Sequence, residues 1–177
     1  MLGIRPYKPC DAAHIVPWLA DKTVFQLWGG ERFGSYPLTI DKMNRKYQND
    51  NGDCAEEDNF YPFTAFDGET VVGHFIMRYL GGDRKRLRFG WVVVDSEKRG
   101  KKYGQTMLIL GLQFAFDFLC VESVSIGVFE HNIPAFRCYC SVGFREDTTA
   151  EAVYETVDGE RQRIVELLIT REEYEQL

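Results

Sequence analysis

The residues best suited to bind a ligand form a short turn between two apolar segments. Val92–Val94 predict a buried strand, and an apolar helix is expected to begin near Gln105. The turn between them carries Gly100 and Gly104, and glycine lets the backbone approach a ligand closely. A turn that leads into a helix leaves N–H groups unpaired at the positive end of the helix dipole, where they suit phosphate oxygens. Three cations add charge, although a solvated basic turn would look the same: Arg99, Lys101 and Lys102.

The spacing of this turn excludes two common phosphate-binding loops. The ATP/GTP loop G-x-x-x-x-G-K-[S/T] is absent, and so is the dinucleotide fingerprint G-x-G-x-x-G. The turn instead runs Arg-x-x-Lys-x-Gly from Arg99 to Gly104.

A second segment carries residues that could take part in proton transfer. It follows a predicted strand, Val124–Phe129, and has the spacing Asn-x-x-Ala-x-x-x-Tyr-x-x-x-Gly-Phe from Asn132 to Phe144. The hydroxyl of Tyr139 can donate a proton in a site shielded from water. Asn132 suits the N-cap of a helix. A core tyrosine and a simple helix cap are the alternatives for these two residues.

Together the two segments resemble the motifs of the GNAT superfamily of N-acyltransferases. The first is similar to the R/Q-x-x-G-x-G/A acetyl-CoA pyrophosphate loop, with Lys102 in place of the middle glycine. The second is similar to the family's N-x-x-A-x-x-x-Y-x-x-x-G-F pattern. The resemblance covers about residues 61–145. It implies one GNAT domain over residues 1–177, with an α/β fold (α+β in some schemes): a mixed, mostly antiparallel sheet of about six to seven strands flanked by helices.

The resemblance also implies roles for individual residues. Acetyl-CoA is expected in a gap between the strands Val92–Val94 and Val124–Phe129. Tyr139 resembles the general acid that protonates the departing CoA thiolate. The remaining expected acetyl-CoA contacts are the backbone groups of Val92, Val93 and Val94, the amides of Gly100, Lys101, Lys102, Tyr103, Gly104 and Gln105 at the pyrophosphate, Arg99 at the motif's Arg/Gln position, and Asn132 on the CoA arm.

The general base stays open in the sequence. Some N-terminal peptide acetyltransferases of this superfamily carry a glutamate five residues before the motif asparagine, where this chain has Gly127. Four residues are candidates by type alone: His74, Glu97, Glu130 and His131.

Composition favours one folded domain and also bears on location, membrane association and the state of the cysteines. The chain has 177 residues, of which 45% are hydrophobic and 27% charged, which suits one domain with a sizeable core. It shows neither a long apolar stretch nor a signal-peptide pattern, so a cytoplasmic enzyme without membrane association is expected. The chain has five cysteines, and this odd number indicates reduced thiols. It contains no C-x-x-C pair, so no metal site is expected.

Charge gives two expectations about partners. A net charge of −6 argues against nucleic-acid binding, and the basic run at residues 84–88 is interpreted as a solvated turn before a strand. The acidic segment Asp50–Asp58 is interpreted as a solvated loop. It could also attract cations, so a cationic amine is expected as acceptor more than an anionic metabolite. The resemblance implies a small-molecule amine or a peptide N-terminus as acceptor, and allows a homodimer.

Three functions remain in competition. The leading hypothesis is an acetyl-CoA-dependent N-acetyltransferase that transfers the acetyl group directly to a primary amine. The alternative is a degenerate acyl-CoA-binding sensor without catalysis. A structural protein with a coincidental turn is disfavoured, because both motifs occur in the right order. Catalytic turnover separates the first hypothesis from the second.

The elements that must position these residues follow from periodicity and capping. A strand is predicted over Ile4–Tyr7 and a helix from the cap Asp11 to Ala20, with a second helix, Ile40–Gln48, capped by Thr39. Further strands are predicted at Tyr61–Phe66, Thr70–Leu80 and Leu87–Val94, a helix at about Ile133–Ser141, and a closing hairpin at Ala152–Thr156 and Arg163–Ile169.

Overall fold

A computed structural model describes all 177 residues. The strands are β1 (Leu2–Pro6), β2 (Tyr61–Asp67), β3 (Thr70–Leu80), β4 (Asp83–Val94), β5 (Ser123–Phe129), β6 (Arg145–Glu146), β7 (Val153–Val157) and β8 (Glu160–Thr170). The α-helices are α1 (Ala12–Trp18), α2 (Lys22–Leu27), α3 (Ile40–Gln48), α4 (Tyr103–Gln113), α5 (Ile133–Cys140) and α6 (Arg171–Tyr174).

The strands form one mixed sheet in the order β1-β2-β3-β4-β5-β8-β6, and β7 pairs with β8. Only β4 and β5 pair in parallel. The predicted mixed, mostly antiparallel sheet is therefore confirmed. Its eight strands exceed the predicted six to seven, because the two-residue β6 is too short to leave a periodic pattern in the sequence.

The sheet opens where β4 and β5 separate. Their pairing runs only from Arg86↔Ser123 to Phe89↔Ile126, although both strands continue beyond it. A β-bulge lies directly after this pairing. His74 pairs with Val93 while Ile76 pairs with Gly90, so β4 carries one residue more than β3 here. Since a bulge bends its strand and increases the local twist, it carries the end of β4 away from β5.

Trp91 lies in this bulge with a φ of +47°. A positive φ is unusual for a bulky residue and requires support from its surroundings. The support is an aromatic cluster, in which the centroid of the Trp91 ring lies 4.7 Å from that of Phe33 and 5.8 Å from that of Tyr47.

Two apolar layers cover the sheet. The larger packs α4 and α5 against one face, around Phe75, Phe89 and Leu108, each fully buried. The smaller packs α1–α3 against the other face around Met43 and Ile15. Alternation along β3, with Phe75 on one side and Ile76 on the other, lets a single strand serve both layers.

Several predicted boundaries need correction. The run at residues 84–88 lies inside β4 and is not a turn before a strand. Helix α4 begins at Tyr103, two residues before the expected start. The closing hairpin is confirmed, with β8 starting earlier than predicted. All five thiols are free, and no helix has both the length and the apolar character needed to cross a membrane.

Candidate active site

A cleft of about 710 Å³ lies where β4 and β5 separate. One wall is the end of β4, and the opposite wall is the start of α5; the turn before α4 closes one end and α2 covers part of the opening. Beyond Phe89, β4 has no strand partner on its β5 side. Of the twelve residues proposed from the sequence, eleven line this cleft: Val92, Val93, Val94, Arg99, Gly100, Lys102, Tyr103, Gly104, Gln105, Asn132 and Tyr139.

The turn before α4 presents unpaired backbone donors. The first bond into the helix runs from the N–H of Thr106 to the carbonyl of Lys102, at 3.0 Å. None of the six amides from Gly100 to Gln105 donates to a backbone or side-chain acceptor, and no side chain caps the helix. Unpaired amides at a helix N-terminus, with Lys98, Arg99 and Lys102 beside them, are the donor set that a pyrophosphate requires.

Lys102 adopts the backbone conformation for which the motif uses glycine. Its φ is +61° and its ψ is 13°, in the left-handed region. The substitution therefore leaves the shape of the turn intact and places the strain on one lysine. Gly104 lies against the opposite wall, since a Cβ at this position would be 3.4 Å from the Sγ of Cys138.

Asn132 caps α5, and its side chain has a second group to offer. Its Oδ1 accepts a hydrogen bond from the amide of Ala135 at 3.4 Å. The Nδ2 donates to no protein group, and the residue borders the cleft. The capping role predicted as an alternative is thus confirmed, and it leaves the amide nitrogen free to bind a ligand.

Tyr139 is the buried phenol at the inner end of the cleft. Only 7% of the residue is exposed. Its hydroxyl forms no hydrogen bond within the protein, although the residue lines the cleft wall. Burial raises the pKa of Tyr139 well above its usual range. The phenol therefore stays protonated at neutral pH and can donate its proton to a group bound in the cleft.

A smaller cavity of about 100 Å³ adjoins the cleft and shares Leu27, Trp28, Asn132 and Tyr139 with it. Its charged lining consists of three arginines and one glutamate: Arg32, Arg78, Arg88 and Glu155. Glu155 belongs to β7 and forms an ion pair with Arg32. The closing hairpin is joined to α2 by a second ion pair, Lys22–Asp158, at 2.8 Å.

The acidic segment behind the expectation of a cationic acceptor lies mostly apart from this cavity. The acidic segment Asp50–Asp58 contributes only Gly52 to the cavity. Asp53 points elsewhere and forms an ion pair with Lys46 at 2.7 Å.

The four candidates for the general base differ in their burial and in whether they line the cleft. His74 is fully buried, its Nε2 lies 2.7 Å from the hydroxyl of Tyr47, and burial lowers its pKa to about 3. It therefore cannot contact an acceptor. Glu130 is paired with Arg163 at the surface, and Glu97 lies outside the cleft lining. His131 alone among the four lines the cleft.

Gly127 has a structural reason to lack a side chain. A Cβ there would lie 2.5 Å from the Nη2 of Arg88 and 3.1 Å from the Oε1 of Glu166. Those two residues form a bidentate ion pair, with Nη1–Oε2 at 2.5 Å and Nη2–Oε1 at 2.8 Å. The pair occupies the space that a glutamate at position 127 would need.

Sequence reasoning missed the charged residues of the small cavity. Arg88 belongs to the run predicted to be a solvated turn, and no motif singles out Arg32, Arg78 or Glu155. A signal was present for Arg88. In the segment Arg86-Leu87-Arg88-Phe89 the apolar residues alternate with arginines, as expected of a strand with one buried face.

The sheet opens beside a helix N-terminus with unpaired amides, and a buried tyrosine lies at the inner end of the cleft; this arrangement is the one expected of an acyl-CoA-dependent transferase. The profile of the Acetyltransferase (GNAT) domain matches residues 1–145. The chain belongs to this family and is an acetyl-CoA-dependent N-acetyltransferase.

Individual relatives agree with this assignment. The SPbeta prophage-derived uncharacterized N-acetyltransferase YokL of Bacillus subtilis (strain 168) is 27% identical over 121 residues, which cover 68% of this chain and 67% of that protein. Spermidine N-acetyltransferase from Vibrio cholerae, solved with CoA and spermine, superposes with a TM-score of 0.78 at 18% identity, covering 98% of this chain and 97% of its own. Aminoglycoside acetyltransferase AAC(6')-Ib, solved with coenzyme A, superposes with a TM-score of 0.76 at 17% identity. The match covers 99% of this chain and 98% of that chain.

Proposed function

We propose that the protein transfers an acetyl group from acetyl-CoA directly to a primary amine. The observation that carries the proposal is that the cleft and the small cavity both border the buried side chain of Tyr139. The cleft with the free amides and the small charged cavity share Tyr139 and Asn132. A donor bound in the cleft and an acceptor bound in the cavity would therefore meet beside these two side chains.

The residues of the cleft fit acetyl-CoA, which supplies a reactive acetyl thioester when bound. The six amides from Gly100 to Gln105 provide donors for the pyrophosphate oxygens, with Arg99 and Lys102 as nearby cations. Val92–Val94 offer backbone groups that no strand uses on the β5 side. Asn132 offers its free Nδ2 to the CoA arm.

Tyr139 acts as the general acid in this proposal. Its phenol donates a proton to the departing sulfur, and burial keeps that proton in place until it is needed. The attacking amine must itself be neutral, so the rate should increase with pH until the group that controls the amine's deprotonation has titrated. His131 and Glu155 are the two lining residues that can accept the amine's proton directly or through water.

Direct transfer is favoured over an acetylated enzyme. The thiol in the cleft lining, Cys138, is half-buried, and burial raises its pKa. The thiolate, which is the nucleophile, is therefore scarce at neutral pH. Intact-protein mass spectrometry after incubation with acetyl-CoA alone should show no acetyl adduct on the chain.

The decisive experiment compares turnover with binding in Tyr139→Phe. Thiol release is measured with acetyl-CoA and a panel of primary amines, and the acetyl-CoA Kd is measured by calorimetry. Loss of a general acid should lower kcat by about 10²- to 10⁴-fold and leave the Kd unchanged. Tyr174→Phe is the control, since Tyr174 stacks on Phe116 outside the cleft.

Two results would count against the proposal. An unchanged kcat in Tyr139→Phe would return this tyrosine to a structural role. Tight acetyl-CoA binding without thiol release for any amine would favour the sensor function instead. Polyamine and aminoglycoside acetyltransferases among the structural neighbours support an amine as acceptor, and at such low identity they do not indicate which one.

A further inference from the structure

The small cavity contains one positive charge that the protein does not neutralise. Arg32 is paired with Glu155, and Arg88 is paired with Glu166. Arg78, near the end of β3, lines the same cavity and forms no ion pair with a carboxylate; its polar neighbour is the uncharged thiol of Cys54. The cavity thus has two guanidinium groups paired with carboxylates and a third without a carboxylate partner.

Arg78 is also in an unfavourable position for a free cation. It is half-buried, and burial lowers its pKa, as do the like charges of Arg32 and Arg88. The thiol of Cys54 acts in the opposite direction, and no carboxylate is among the main influences on the group. A half-buried charge without an opposite charge beside it is costly to the folded protein. An anion in the cavity would remove this cost.

The size of the cavity limits what can enter it. Its volume of about 100 Å³ is well below the roughly 300 Å³ at the lower end of drug-sized pockets. Tyr139 lies on the wall of the same cavity, so an acceptor that reaches Arg78 can also present an amine to the proposed acid. A short molecule can therefore do both within this space.

We propose that the acceptor is a small primary amine that also carries a carboxylate, and that Arg78 binds this carboxylate. The inference rests on the proposed function and adds the substrate class. A planar guanidinium matches a carboxylate through two parallel hydrogen bonds. A diamine or an aminoglycoside would instead place a second ammonium beside an arginine that has no carboxylate partner, which disfavours such an acceptor.

Matched amines test this substrate class. γ-Aminobutyrate, butylamine and putrescine have the same carbon chain and carry a carboxylate, a methyl group or a second amine at the far end. Glycine and β-alanine shorten the chain, and short peptides offer an N-terminus instead. At least one free amino acid should have a kcat/KM about 10- to 100-fold above that of its matched alkylamine, the range expected for a hydrogen-bonded charge pair.

Variants of Arg78 connect that preference to one residue. Arg78→Gln should raise the KM for the preferred amino acid about 10- to 100-fold, with little change in its kcat or in the kinetics of the alkylamine. Arg78→Lys should retain part of the preference for the amino acid. It keeps the positive charge but cannot form the two parallel hydrogen bonds of a guanidinium. Arg86→Gln is the matched control: Arg86 is an exposed arginine of the neighbouring strand that lies outside the cavity lining.

The outcomes separate this inference from the proposed function. The thermal shift caused by acetyl-CoA should be the same in the wild-type protein and in Arg78→Gln. If neither protein shows a shift, the proposed function itself is overturned. If acetyl-CoA binds, the inference is overturned by equal or better use of alkylamines or putrescine, by turnover confined to peptides, or by no turnover of any amino acid. It is also overturned if Arg78→Gln and Arg86→Gln behave alike.

Discussion

At the scale of single residues, Lys102 shows how a motif can change without losing its geometry. Its backbone takes the left-handed conformation with a φ of +61°, which costs an L-residue other than glycine roughly 1–2 kcal/mol. In return, an ammonium group lies beside the six free amides of the turn. Lys102 therefore adds backbone strain to the folded protein and also adds attraction for a bound phosphate.

Lys102→Gly should separate these two effects. Relief of strain exceeds the extra entropy of glycine in the unfolded chain, so the free energy of unfolding should increase by about 0.5 kcal/mol. The acetyl-CoA Kd should also increase, because one cation is lost. Urea unfolding and calorimetry measure the two quantities.

Lys101→Gly is the matched control for this prediction. It removes a charge from the adjacent residue, which lies outside the cleft lining and whose φ is not positive, so it should change the acetyl-CoA Kd less than Lys102→Gly and should lower stability. A loss of stability in Lys102→Gly as large as that in Lys101→Gly would contradict the strain argument.

At the scale of elements, Asp11 joins the first helix to the sheet. The sequence suggested a helix N-cap, but its carboxylate makes no capping bond to α1. It accepts instead from the guanidinium of Arg5 at 2.6 and 2.8 Å, from the amide of Lys8 at 2.8 Å and from the hydroxyl of Thr64 at 2.7 Å. One side chain thus connects α1 to β1 and β2.

Asp11→Asn should lower stability in a pH-dependent way. Burial by itself raises the pKa of Asp11, but the hydrogen bonds from Arg5 and Thr64 outweigh it and hold the pKa at about 2. A carboxyl group with a lowered pKa stabilises the fold above its unfolded pKa, about 3.9, and loses that effect as the pH falls towards 2. The substitution should therefore cost about 3 kcal/mol at pH 7 and progressively less below about pH 4.

Urea unfolding at pH 7 and at about pH 3 measures this difference. Asp41→Asn, at an exposed site in the first turn of α3, is the control and should have little effect at either pH. A cost for Asp11→Asn that is equal at both pH values would contradict the ion-pair explanation.

At the scale of the whole molecule, the sheet consists of two parts with a narrow junction. Only four residue pairs join β4 to β5, and the cleft begins where they end. A ligand that contacts β4, the turn before α4 and α5 at once would hold the two parts together.

Acetyl-CoA should therefore stabilise the entire fold. At a concentration of about 100 times its Kd, the gain is roughly 2.7 kcal/mol, or an increase in Tm of about 5–10 °C for a chain of this size. Gly104→Asp should abolish the shift, since it places a carboxylate against the phosphate donors. Gly104→Ala is the control, because its Cβ would meet Cys138 Sγ at a tolerable 3.4 Å. No shift for the wild-type protein would contradict the assignment of the cleft.

Local patterns in the sequence were enough to predict those parts of the protein that depend on neighbours along the chain. Two motifs, one glycine-containing turn and one helix beginning at Asn132, identified the family, the mixed sheet and eleven residues that prove to line one cleft. These features are readable because turn conformation, helix capping and strand alternation depend on residue types only a few positions apart.

Tertiary structure alone decided where the sheet opens and what faces the acceptor. The bulge at Trp91 is stabilised by an aromatic cluster assembled from distant segments, and nothing in its local sequence requires a positive φ. Arg32, Arg78, Arg88 and Glu155 come from four separate elements and meet only in the folded chain. Net charge could not decide the acceptor, because a total over 177 residues contains no information about which charges converge on one cavity and which are already paired.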